Sequence, residues 1–119
     1  MTNQLDVQHF KTVLGWEREN LGLLCERWSQ VLEGNDCSDN KYDEEALGAM
    51  RTTIGQAQLL LSKKFKQFSE LIDNCEFNKG ELPTRLDDLT GFWDMVTFQV
   101  DDVKNKFKQL EKLTPVPAQ

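Results

Sequence analysis

The chain has 119 residues, of which 20 are acidic and 14 basic, so its formal charge is −6; 39% of its residues are apolar and eleven are aromatic. This is enough apolar material for one folded domain and argues against disorder, while the acidic balance disfavours nucleic-acid or anionic-membrane binding, both of which need an excess of Lys and Arg facing phosphates. No run approaches the roughly 20 apolar residues of a membrane span.

The opening MTNQLDVQHF has neither a basic n-region nor an apolar h-region, so no secretory signal is expected. Cys25, Cys37 and Cys75 are odd in number and widely spaced, and no Asn-x-Ser/Thr sequon occurs, which suits a reducing compartment. The expected location is cytoplasmic, with the nucleus as an alternative.

In the first segment Val7, Phe10, Leu14, Glu17, Leu21, Leu24, Trp28 and Val31 recur at alternating spacings of three and four, broken only by Glu17. EGNDCSDNKY (33–42) then reads as a loop. Oxygen ligands alternate through it at Asp36, Ser38, Asn40 and Asp43. Yet counting from Asp36 the sixth position is Lys41, where a calcium loop turns on Gly, and the twelfth is Leu47, where it needs a bidentate Glu. The loop is read instead as solvated, with Asp43, Glu44 and Glu45 at the amino end of the next helix for dipole reasons.

The second segment carries Leu47, Met50, Ile54, Ala57, Leu61, Lys64, Phe68, Leu71 and Cys75, with Phe65 and Ile72 taking over where Lys64 interrupts. Gly48, Gly55, Ser62 and Ser69 fall seven apart beside this stripe, as expected where helices pack closely. After NKGELP (78–83) the third segment gives Leu86, Leu89, Trp93, Val96, Val100, Val103, Phe107 and Leu110 without a break. Thr84 with Asp87 three residues on is expected to cap it, acidic residues begin it, and Lys104, Lys106, Lys108 and Lys112 end it. Pro115 and Pro117 close the helix, and TPVPAQ reads as a linker.

Three long amphipathic stripes joined by short loops predict an all-α fold, an antiparallel three-helix bundle with long helices. The domain is expected over 1–113 and the linker over 114–119, as one part of a larger protein. The bundle is expected to fold by itself and without metal.

The residues give no support to enzymatic chemistry. His9 is the single His and no second ligand stands at metal spacing from it. GxGxxG, GxxxxGK[ST], CxxC and HExxH are all absent, so no cofactor and no metal are expected. Lys63, Lys64 and Lys66 form a candidate basic stripe able to meet acidic tubulin tails or phosphates, although the net charge favours a solvated face.

The heptads place several large apolar residues off the core. With Trp93 and Val96 inward, Phe98 lies almost opposite and Met95 is its neighbour on the same outer face; on the first helix Trp16 and Leu23, seven apart, also lie off the stripe. A closed bundle does not need them. Trp16, Leu23, Met95 and Phe98 are therefore the candidate partner-binding residues, for a partner helix or a second copy. Trp93 is expected in the core and Phe98 at least partly exposed.

LDDLTGFWDMVTFQVDDVKNKF (86–107) and RTTIGQAQLLLSKKFKQFSELIDNC (51–75) resemble the homology domain of the guanylate-kinase-associated protein (GKAP/SAPAP, DLGAP) family. The IGQAQLLL, KFKQF and GFWDM strings are the most specific, and the likeness continues more loosely from Phe10 to Trp28. The resemblance implies a three-helix bundle near the carboxyl end of a long scaffold, with protein partners and no enzymatic activity. Synaptic members link guanylate-kinase scaffolds to Shank proteins at the postsynaptic density through segments outside this domain. The mitotic branch, the hepatoma up-regulated protein and its insect relative Mars, binds microtubules at the spindle through a basic amino-terminal region. LIDNCEFNKG and DMVTFQ are more similar to the mitotic branch. The expected function is accordingly a non-enzymatic interaction domain in a spindle or microtubule-associated assembly, with a postsynaptic scaffold, direct microtubule binding or self-association as alternatives.

Overall fold

The computed structural model describes residues 6–35, 40–77, 84–113 and 116–117. Among these the chain is helical apart from two short paired strands and a few residues flanking the helices. Helix α1 runs Val7–Gly34, α2 runs Glu44–Leu59, a π-helical turn occupies Leu60–Lys64, α3 runs Phe65–Phe77 and α4 runs Leu86–Glu111. Because α2, the π turn and α3 follow one another without a gap, the described residues form three helical rods. Strand β1 (Asn40–Lys41) pairs antiparallel with β2 (Val116–Pro117), joining the approach to α2 to residues just beyond α4.

Each rod begins where local chemistry satisfies its free amide groups. Asp6 caps α1 by accepting from the His9 amide at 2.8 Å, and Asp43 caps α2 by accepting from Ala46 at 2.8 Å. Glu44 and Glu45 occupy the first turn of α2, where the helix dipole favours them. The start of α4 differs from the Thr84 and Asp87 pairing expected. Arg85 occupies the cap position and donates its amide to the Asp88 carboxylate at 2.9 Å. Thr84 instead accepts from the Asn74 side chain at 2.7 Å, tying α3 to the start of α4. In the same way Asn35 accepts from the Tyr42 amide at 2.9 Å, linking the end of α1 to the approach to α2.

The apolar stripes meet in one core. It contains Phe10, Leu14, Leu21, Cys25 and Trp28 of α1, Leu47, Met50, Ile54 and Ala57 of α2, Leu60, then Phe65, Phe68 and Ile72 of α3, and Leu89, Val96, Val100, Val103, Phe107 and Leu110 of α4. Leu86, counted into the third stripe from spacing, is exposed because it is the first residue of α4 and lies at the end of the core. Trp93 is half-buried rather than fully enclosed: it stacks on Phe68 with ring centroids 4.9 Å apart and leans on Phe65 at 6.2 Å.

Both breaks in the heptads have physical answers. Glu17 is accommodated by Lys104 of α4, whose Nζ lies 2.9 Å from Oε1 and 2.7 Å from Oε2 in a partly buried pair. At the second break the π turn adds one residue. The core position seven residues after Ala57 would fall on Lys64; with the extra residue it falls on Phe65, which is completely buried, and the Phe65 amide bonds back five residues to the Leu60 carbonyl. The small residues at Gly48 and Gly55 do not serve close packing, since a Cβ at either would meet nothing within 4 Å.

Among the described residues two further ion pairs cross between rods. Lys11, early in α1, meets Glu76, late in α3, at 2.6 Å, and Arg27, late in α1, meets Glu111, at the end of α4, at 3.2 Å.

Candidate functional site

Of the outward apolar residues, Phe98 and Leu23 line separate grooves, while Met95 and Trp16 line neither of these. Phe98 is 80% exposed on α4 and faces the rod formed by α2 and the π turn across a groove of about 770 Å³. Leu59, Leu60, Phe98 and Val103 supply its apolar lining, with Lys63, Lys64, Lys106, Asp102, Gln56 and Gln99 around them. Met95, 41% exposed, stands one turn before Phe98 but does not line the groove. Leu23, 57% exposed, belongs to a smaller groove of about 410 Å³ with Asn20, Leu24, Arg27 and Lys104. Trp16, 63% exposed, lies two turns before it on α1. The structure thus brings Phe98 together with Lys63 and Lys64, and separates this group from Leu23. Lys66 is exposed but lines neither groove.

Leu59, 58% exposed, was missed by the heptad reading. The signal lay in the triplet Leu59, Leu60 and Leu61: successive helical residues are about 100° apart, so one stripe cannot bury all three. Leu60 takes the core, Leu61 is half-buried, and Leu59 turns to the groove. The exposed Phe77 was missed as well; the Lys11 ammonium sits 5.8 Å from its ring centroid.

The charges around the larger groove are unequally committed. Lys106 is held by Asp102 at 3.2 Å and by the Gln56 side-chain oxygen at 2.9 Å. Lys63 and Lys64 have no acidic partner within 4.0 Å among the described residues. The groove therefore presents two uncommitted ammonium groups beside an exposed Phe and Leu.

The other groups singled out from sequence have local roles. His9 is exposed, with its ring edge-on to Phe10 at 5.3 Å. Among the described residues no three His, Cys, Asp or Glu side chains come together in a way that could hold a metal ion, and no helix is long and apolar enough to cross a membrane. Cys37 and Asp36 lie outside the described residues. Cys25 is buried in the core, and burial pushes its thiol pKa up. Because alkylation consumes the thiolate, Cys25 is expected to react with iodoacetamide far more slowly than the half-buried Cys75 in the native protein at neutral pH. Mass spectrometry of the labelled peptides checks this, and equal rates would show that the α1 core opens readily.

A model of the family described as Guanylate-kinase-associated protein (GKAP) protein matches residues 2–116. The chain is 48% identical over 108 residues to "Disks large-associated protein 5" of Mus musculus, covering 91% of this chain and 13% of that protein. It is 43% identical over 107 residues to the Homo sapiens protein of the same name, covering 90% of this chain and 12% of the relative. With "Disks large-associated protein 1" of Homo sapiens it shares 38% over 109 residues, covering 91% and 10% respectively. The chain thus spans about an eighth or less of the length of these relatives.

Proposed function

Because the chain belongs to the guanylate-kinase-associated protein family, we propose that it is a non-enzymatic interaction domain of a scaffold protein, working through the outward apolar residues of its helices. The observation that carries this reading is Phe98, 80% exposed in the middle of a well-packed helix. An aromatic side chain held in water is unfavourable for the free domain, and an association that buries it removes that cost. Met95 extends the same face, and Trp16 with Leu23 form a second.

The names of the relatives, which associate them with Disks large proteins, favour a postsynaptic scaffold over a spindle assembly. The spindle and microtubule readings rest on the likeness of LIDNCEFNKG and DMVTFQ to the mitotic branch. We read the architecture as an antiparallel three-helix bundle in which consecutive rods reverse direction. The pairing of Lys11 with Glu76 supports reversal between the first two rods, and that of Arg27 with Glu111 supports a first and third rod running the same way.

The test is association of the purified chain with a purified Disks large protein, with microtubules at low and moderate salt, and with itself by light scattering. Met95→Ser combined with Phe98→Ser is expected to abolish whichever association the wild type makes while leaving the helical circular dichroism intact, since exposed positions tolerate substitution within about half a kcal/mol. A double variant that associates as well as wild type, or a wild type that associates with none of the three, overturns the assignment.

A further inference from the structure

Resting on the interaction-domain reading, we infer that the groove between α4 and the α2–π-turn rod binds an acidic amphipathic helix of a partner protein, whose apolar face covers Leu59 and Phe98 and whose carboxylates meet Lys63 and Lys64. Three features converge on it. The lining is apolar where Leu59, Leu60, Phe98 and Val103 meet. The two lysines at its rim have no acidic partner among the described residues, on a chain whose net charge is −6. The π turn itself places them there: it moves Lys64 off the core position that Phe65 takes, so a departure from α-helical geometry coincides with the groove. A groove of about 770 Å³ is of the size that takes several side chains of a docked segment. The docking mode is that of an apolar helix face laid into a groove, with anchors at i, i+3 or i+4, and i+7.

The other occupants fit the charges less well. A second copy docked about a two-fold axis would bring its own Lys63, Lys64 and Lys106 against the same three, each groove offering only Asp102 in return. Just beyond α4, Val116–Pro117 already pair with β1.

The experiment is selection of random peptides of about 15 residues, some four helical turns, displayed on phage against the immobilised chain, with counter-selection on Phe98→Ser. Enriched peptides should be amphipathic, with Phe, Leu or Trp anchors at helical spacing and Asp or Glu beside them. A representative synthetic peptide should bind the Lys63→Glu, Lys64→Glu double variant at least about tenfold more weakly than wild type, with an affinity that falls as salt rises. Both substitutions are at the groove rim, and circular dichroism of the variant verifies its fold. Enrichment of neutral or basic peptides, equal binding to the charge-reversed variant, or selected peptides that bind Phe98→Ser as well as wild type each overturn the inference. So does a dimer in light scattering that Phe98→Ser dissolves, because the groove would then be filled by a second copy. In that last case, and where neutral peptides bind wild type but not Phe98→Ser, the interaction-domain reading stands while the acidic partner falls.

Discussion

Phe68→Ala is expected to lower stability by about 3–5 kcal/mol, the usual cost of removing a buried aromatic ring. Phe68 is the ring on which the three rods converge. It meets Phe10 of α1 edge-on at 5.8 Å, stacks on Phe92 of α4 at 5.7 Å, and stacks on Trp93 at 4.9 Å. Its side chain is completely buried, so truncation leaves a cavity bounded by all three rods, which cannot collapse without moving a helix. Against a total stability of about 5–15 kcal/mol for a domain, the loss brings the melting temperature down by roughly 10–20 °C. Thermal denaturation followed by circular dichroism measures it. Trp93→Ala is the informative comparison. From spacing alone Trp93 is expected to be the core aromatic, whereas the structure leaves it half-buried with one face on Phe68, so its truncation should cost clearly less than that of Phe68. The reverse order would place the centre of the core on α4.

Deletion of Ser62 is expected to leave the domain folded, whereas deletion of Thr52 should unfold or severely weaken it. Both side chains are exposed, so neither deletion removes a core contact directly. The difference lies in register. One residue removed from an α-helix rotates everything on one side of it by about 100°. Without Thr52, that rotation turns Leu47 and Met50 out of the core; loss of a buried Met alone costs about 2–5 kcal/mol. The π turn at Leu60–Lys64 already holds one residue more than an α-helix needs. Removing Ser62 lets the turn close to α-helical geometry with Ala57 and Phe65 seven apart, so both stay inward. Chemical denaturation of the two variants checks the contrast. Similar losses from both would mean that the π turn does not absorb the extra residue.

Much of this fold is legible in the chain because helix burial follows a fixed angular period. The stripes through Phe10, Leu14 and Leu21, through Met50, Ile54 and Ala57, and through Val96, Val100 and Phe107 need only the 3.6-residue repeat to be assigned to a core. Even the irregularities leave marks: Glu17 interrupts its stripe, and the succession from Lys64 to Phe65 marks a one-residue change of phase. Caps are less secure, since Thr84 and Arg85 both stand at plausible distances from acidic residues, and only the bond from the Arg85 amide to Asp88 decides where α4 begins.

The outward faces are legible in the same angular terms. The off-stripe positions of Trp16, Leu23, Met95 and Phe98 follow from phase alone, but their grouping does not. Phase describes one helix at a time, whereas a groove depends on which neighbouring helix stands opposite and at what height. The tertiary structure therefore decided that Phe98 shares a groove with Leu59, Lys63 and Lys64, that Leu23 belongs to another, and that Glu17 finds Lys104 across 87 residues of chain. Composition, periodicity and charge determined that the chain would make long amphipathic helices. Which side chains meet between those helices was decided by packing, because the free energy of burial depends on neighbours that are distant in sequence.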